Sequence, residues 1–207
     1  MKHDQSFQLL FLSSFLSILF STGDVFAYKE SDFYKLKNTK KCIECDLTDL
    51  NLSRLNLRRV NLSGSDLSGS DLSGSDLSGS DLSGVNLSRV NLSGTNLKNI
   101  NLTGTNLNEA NLSDSDLSGT NLTGVNLSNV NFSGANLSGT NLSKVDLTGS
   151  NLTKADLTGA KLVEANLTGA DLTEANLSEA NLSGANLSGA NLSKTNLTGV
   201  NLRNLYV

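Results

Sequence analysis

A large apolar residue returns at every fifth position from Leu47 to Leu202, 32 times in succession and without one insertion; only Phe132 stands in for leucine. A repeat this strict has to be read before secondary structure, because it dictates the fold. On a straight helix each repeat would advance by about 500°, so successive leucines would walk round the axis and never form one stripe. On a straight strand, residues five apart alternate between opposite faces. The consistent solution is a chain that turns a corner once per repeat, so that every leucine points to one central axis. Such a chain is a coiled solenoid.

The other positions agree. With the leucine as position i, position i−2 carries small or β-branched residues such as Ser65, Ser70, Val85, Val90, Thr95 and Ala110, then alanine at each repeat from Ala155 to Ala190. Both positions face inward. Between them, position i−1 is Asn in 22 repeats, Asp in nine and Lys161 in one, and alternation turns it outward. Position i+1 is mostly Ser or Thr, and i+2 holds 17 of the 18 glycines, as a tight turn with permissive backbone angles requires. Proline is absent; it would remove a donor from continuous main-chain ladders.

Blocks such as Ala165-Asn166-Leu167-Thr168-Gly169 and Ala185-Asn186-Leu187-Ser188-Gly189 resemble the A-[DN]-L-x-x consensus of the pentapeptide repeat family. The resemblance covers residues 45–204. It implies an all-β fold, a right-handed quadrilateral parallel β-helix with four repeats per coil and about eight coils, roughly 38 Å long at a ladder spacing of about 4.8 Å. Charges at i+2 support a coil of 20 residues independently, since Arg89 and Glu109, Lys144 and Glu164, Lys154 and Glu174, and Glu174 and Lys194 are all opposite in sign at that separation. Asp46 above Asp66 is an adverse column.

The ends break the pattern. Lys2 precedes a 14-residue apolar run, Phe7 to Phe20, which is too short to span a bilayer and matches the core of a secretory signal. Val25-Phe26-Ala27 supplies the small residues of a cleavage site between Ala27 and Tyr28. Residues 1–27 therefore read as a signal peptide, and the chain as exported to a periplasmic or extracellular location; retention as a membrane anchor is the alternative, and no span would remain after cleavage. Residues 28–44 form an N-terminal cap, with a short amphipathic helix carrying Phe33, Tyr34 and Leu36 over the first coil. Leu50, Leu55 and Val60 place larger residues than usual at i−2 to meet it. Residues 205–207, Leu-Tyr-Val, close the other end. They offer no long helix for dimerisation, so a monomer is expected. Cys42 falls in the inward i register and Cys45 at i−2, where they form either a short disulfide across the first corner or two buried free thiols.

Composition removes whole classes of function. Lys and Arg number 16 against 20 Asp and Glu, a net charge of −4, so the basic field of a nucleic-acid-binding surface is missing. The one histidine, His3, lies in the signal segment, leaving no imidazole base for a hydrolase triad. Two cysteines fall short of a zinc site. Gly64 and Gly69 recur at phosphate-loop spacing without the Lys-Ser/Thr that such a loop needs, and Asn-Leu-Ser/Thr acceptor patterns such as those at Asn86 and Asn121 are produced by the repeat itself. No catalytic residue, cofactor site or metal site is expected. The leading expectation is an exported, non-enzymatic, rigid structural or protein-binding solenoid whose partner is another protein.

Two other classes are weighed against it. The family resemblance implies a DNA-mimicking, gyrase-binding protein as one alternative. Asp66, Asp71, Asp76 and Asp81 are the densest acids, but 20-residue coils spread them round one turn instead of stacking them. Hydroxyl columns such as Ser68, Ser88 and Ser128 suggest binding to ice or another crystalline surface as a further alternative.

Overall fold

The computed structural model describes residues 29–207. The expected signal peptide and its Ala27–Tyr28 junction lie outside the described residues. No helix among the described residues is long and apolar enough to cross a membrane.

Helix α1 spans Glu30–Thr39. Glu30 and Asp32 in its first turn and Lys37 in its last complement the helix dipole. Phe33 and Leu36, about one turn apart, are buried against the first coil, whereas Tyr34 keeps 46% of its surface exposed. The chain leaves α1 through Lys40, which has φ 55° and donates its N–H to the Leu36 carbonyl at 3.0 Å, a left-handed C-terminal cap. Lys40 lies one residue past the five-residue phase of the corners that follow, Glu44, Asp49 and Arg54, yet the helix passes into the coil without a linker. Lys41 already pairs with Asn61, and the ladder starts before residue 45, the boundary that the sequence suggests.

Every backbone pairing is parallel and joins residues 20 apart, from Lys41–Asn61 to Asn186–Tyr206. Four walls result, running through Lys41 and Asn61 (wall one), Asp46 and Asp66 (wall two), Asn51 and Asp71 (wall three), and Asn56 and Asp76 (wall four). A repeat makes three bonds to neighbouring coils: Asp66 N–H donates to Cys45, Leu67 N–H to Asn86 and Gly69 N–H to Ser88, at 2.9, 2.9 and 3.1 Å. Its corner is closed by Ser70 N–H donating to the Leu67 carbonyl at 3.0 Å, with Gly69 at φ 72°. Positive φ at the third residue is what a type II turn demands. Non-glycine residues accept the same geometry: Asn129 has φ 57° and Glu174 φ 60°.

Inside, the leucines form an unbroken buried column with the i−2 residues between them. The larger i−2 residues of the first coil spread its corners, and hydroxyls of the second coil fill the gaps. Ser70 Oγ donates to the Leu47 carbonyl at 2.7 Å and accepts the Leu50 N–H at 3.0 Å. Ser80 does the same for Leu57 and Val60, and Ser65 for Cys42 and Cys45. A buried serine is thereby fully satisfied and stitches two coils together. Ser150 is different: its Oγ is buried with no hydrogen-bond partner.

The ladder parts at one place. Between the coil holding Asn101 and Asn106 and the coil holding Asn121 and Asn126, wall one lacks its Asn101–Asn121 pairing and wall two is loosened to the Asn106–Asn126 pairing alone, whereas walls three and four keep close hydrogen bonds such as Leu112 to Asn131 at 2.7 Å and Leu117 to Asn136 at 2.9 Å. Asn101, Asn106, Asn121 and Asn126 are correspondingly exposed. Phe132, fully buried, sits on wall three of the upper coil, across the axis from wall one. Its ring exceeds the leucine it replaces, and close-packed interiors pass such volume on to their weakest boundary. Ile100, which leads into wall one, adds a further methylene at i−2.

Two outcomes follow. Ser70→Ala strands the Leu50 N–H and should cost about 1–3 kcal/mol, whereas Ser150→Ala removes an unsatisfied hydroxyl and should be neutral or stabilise by up to about 1 kcal/mol, both read by chemical denaturation. Phe132→Leu should let the parted walls close, slowing amide exchange at Leu102, Asn121 and Asn126; unchanged exchange would contradict the assignment of the gap to that ring.

Candidate interaction surfaces

The exterior is built by one local device. The i−1 side chain accepts the backbone N–H of residue i+1, as Asp66 Oδ1 does from Ser68 at 2.9 Å and Asn131 Oδ1 from Ser133 at 3.1 Å, an Asx turn that fixes the outward side chain. Many i+1 hydroxyls then donate to the same oxygen, for example Ser138 to Asn136 and Ser193 to Asn191, both at 2.7 Å. Asn amides extend the order between coils. On wall three Asn91 donates to Asp71, Asn111 to Asn91, Asn131 to Asn111 and Asn151 to Asn131, at 2.9–3.2 Å.

These ladders have a direction, because the Nδ2 group donates to the coil on its N-terminal side. An aspartate only accepts, so it fits where the next coil supplies an Asn. Asp66, Asp81 and Asp116 receive such a bond from Asn86, Asn101 and Asn136. Asp46 alone has another carboxylate, Asp66, above it, and Asp46 Oδ1 is held by the Thr48 hydroxyl at 3.0 Å. Burial alone would raise the Asp66 carboxyl, but hydrogen bonds from Ser68 and Asn86 outweigh it and hold the group below its ordinary 3.8. Asp76 and Asp116 show the same balance, aided by Arg58 and Lys98, while Asp171 is lowered by the Thr173 hydroxyl and N–H.

Of the four charge pairs read from 20-residue spacing, Lys144–Glu164 at 3.6 Å and Lys194–Glu174 at 3.2 Å form ion pairs. Lys154 and Glu174 do not, since Glu174 is engaged by Lys194, and Arg89 and Glu109 stay apart. Two further pairs, Arg58–Asp76 at 3.8 Å and Lys98–Asp116 at 2.8 Å, join an i+1 cation to an i−1 acid 18 residues on. That diagonal spacing is legible in the sequence once the coil length is known. Pairs this exposed contribute at most about 1 kcal/mol each.

At the N-terminal end Cys42 and Cys45 are both buried and lie across the first corner as a disulfide, with Cα atoms 5.4 Å apart. A cavity of about 40 Å³ remains between α1 and the first coil, lined by Phe33, Leu36, Leu57 and Val60. At the other end Leu205-Tyr206-Val207 extend the ladder instead of folding over it: Tyr206 N–H donates to the Ala185 carbonyl at 2.9 Å. Leu197 and Leu202 stay 39% and 43% exposed, so the expectation of a monomer loses the support of a closed end. No group of three or more His, Cys, Asp or Glu side chains among the described residues is placed to hold a metal ion.

The periodic walls also match known sequences. The family model described as pentapeptide repeats matches in eight copies over residues 45–84, 86–124, 126–162 and 165–204. The chain belongs to the pentapeptide repeat family. Among solved structures, HetL, a pentapeptide repeat protein involved in heterocyst differentiation regulation from the cyanobacterium Nostoc sp. strain PCC 7120, is 28% identical over 86% of this chain and 93% of its own, with TM-score 0.51. A pentapeptide repeat protein from the Arabidopsis thaliana thylakoid lumen is 36% identical over 46% of this chain and 67% of its own, with TM-score 0.45. QnrB1, a plasmid-mediated fluoroquinolone resistance protein, is 25% identical over 80% of this chain and 89% of its own, with TM-score 0.44. No curated protein matches.

The lowered aspartates set a pH dependence. A carboxyl whose folded value lies below its unfolded one stabilises above the unfolded value and loses that contribution as pH falls through the folded one. The melting temperature should therefore hold from neutrality to about pH 5 and decline below about pH 4, and Asp66→Asn with Asp116→Asn should flatten the decline in thermal melts.

Proposed function

We propose that this chain is an exported, non-enzymatic, right-handed pentapeptide-repeat solenoid that serves as a rigid scaffold or protein-binding platform. The observation that carries this reading is the order of the walls: outward Asn, Asp, Ser and Thr side chains are fixed by Asx turns and inter-coil amide ladders over the length of the rod. A surface ordered before contact loses little entropy on binding an extended partner. The involvement of HetL in regulation is compatible with a role in binding. Export is supported by the signal-like sequence of residues 1–27, and the Cys42–Cys45 bridge is the state expected of such a pair in an oxidising compartment.

The DNA-mimic alternative finds less support. Duplex DNA carries one charge per about 1.7 Å, whereas the acids here are interspersed with Asn, and Asp76 and Asp116 are paired with Arg58 and Lys98. For crystal-surface binding, many of the i+1 hydroxyls, Ser128 among them, are engaged with their own Asn or Asp oxygens.

Fractionation of the source cells should place the protein outside the cytoplasm, with Tyr28 as its first residue and no free thiol in the denatured, unreduced chain. Pull-down on the exported form should retain a specific protein. A cytoplasmic chain beginning at Met1, or strong inhibition of gyrase supercoiling, would overturn the reading.

A further inference from the structure

Charge is unevenly distributed along the rod. Residues 29–60 carry eight cations against five acids, while residues 61–207 carry seven against 13. The N-terminal cations are also segregated around the axis. Lys37 and Lys40 line the cavity beside Leu57 and Val60; Arg58 and Arg59 flank the same stretch of wall four, and Lys41 opens wall one beside Asn61. Of the five acids, Glu30 and Asp32 start α1, where Asp32 Oδ2 accepts the Asp46 N–H, Asp46 and Asp49 lie along wall two, and Glu44 alone stands beside the patch, at the corner that follows Ile43. Of these five cations only Arg58 has an ion pair, with Asp76 at 3.8 Å.

Apolar groups stand among them. Ile43 occupies an i+1 position that elsewhere is mostly Ser or Thr and is 47% exposed, and Tyr34 projects from the outer side of α1, its ring 5.9 Å from Lys37 Nζ. Unpaired cations around an exposed tyrosine and isoleucine are the composition of a surface that meets a bilayer, where aromatic rings settle at the headgroup level and basic side chains meet anionic headgroups. We propose that the α1 end of the solenoid docks on an anionic lipid surface through Lys37, Lys40, Lys41 and Arg59, with Tyr34 and Ile43 at the headgroup level, so that the rod stands out from the membrane. The proposal rests on the export reading only for which leaflet is met.

The full chain is sedimented with vesicles of phosphatidylcholine alone and of phosphatidylcholine with phosphatidylglycerol. Binding should be stronger to the anionic vesicles by at least about tenfold and should weaken as salt is raised. Lys37→Gln with Lys41→Gln and Arg59→Gln should abolish that difference, while Lys154→Gln with Lys161→Gln and Arg203→Gln, the same charge change far from α1, should leave it intact. The chain has no tryptophan, so Tyr34→Trp gives a single reporter whose emission should shift to the blue on anionic vesicles, and Tyr206→Trp one that should not. Equal binding to both vesicles would show attachment that does not depend on anionic headgroups, and equal loss in both triple variants would reduce the effect to net charge; either overturns the proposal, as does no binding at all. Cell fractionation tests export separately, so the two readings fail independently.

Discussion

Everything in this molecule depends on the backbone turning a corner at every fifth residue. The turn requires one residue per repeat at positive φ, and the chain meets that demand whether the position holds Gly69 or Glu174. The strain at a non-glycine corner is small against what the corner makes possible: the leucine before it is buried and the backbone groups around it bond to the coils above and below. The repeats cannot supply those partners alone, since each one's donors find their acceptors 19 or 21 residues away. Stability is therefore collective, a property of stacked neighbours more than of any single repeat.

The same dependence explains what stands on the surface. An outward Asn serves three ends at once, closing its own Asx turn, accepting a neighbouring hydroxyl and donating to the next coil. Aspartate does the first two but cannot donate, which confines it to places where the following coil can donate to it. Acidity is thus rationed by hydrogen-bond direction as well as by repulsion. This makes the walls orderly and only weakly charged, and it leaves the concentration of unpaired cations at the α1 end as the main departure from an otherwise even exterior.

Much of the architecture was legible in the residues. The spacing of Leu47 to Leu202 fixes the corner, and Lys144 with Glu164 points to the 20-residue coil. What could not be read there depends on volumes and on the third dimension. Tyr34 resembles Phe33 in sequence, yet only one of the two rings meets the coil. Leu205 and Val207 look like a cover but fall in phase with the ladder and lengthen it. The role of Ser70 becomes visible only once Leu47 and Leu50 are known to lie one coil beneath it, and the parting of walls one and two needs the ring of Phe132 to be placed across the axis.

The length of a coil has a consequence for how such a protein can change over generations. Duplication or loss of a 20-residue segment adds or removes one storey and leaves every column above it in place, so the rod can grow or shrink without altering what any wall presents. Loss of five residues is a smaller change to the gene but a larger one to the molecule. All that follows the cut is rotated by a quarter turn, Asp76 and Asp116 no longer share a wall, and a surface assembled for one partner is presented in a different direction.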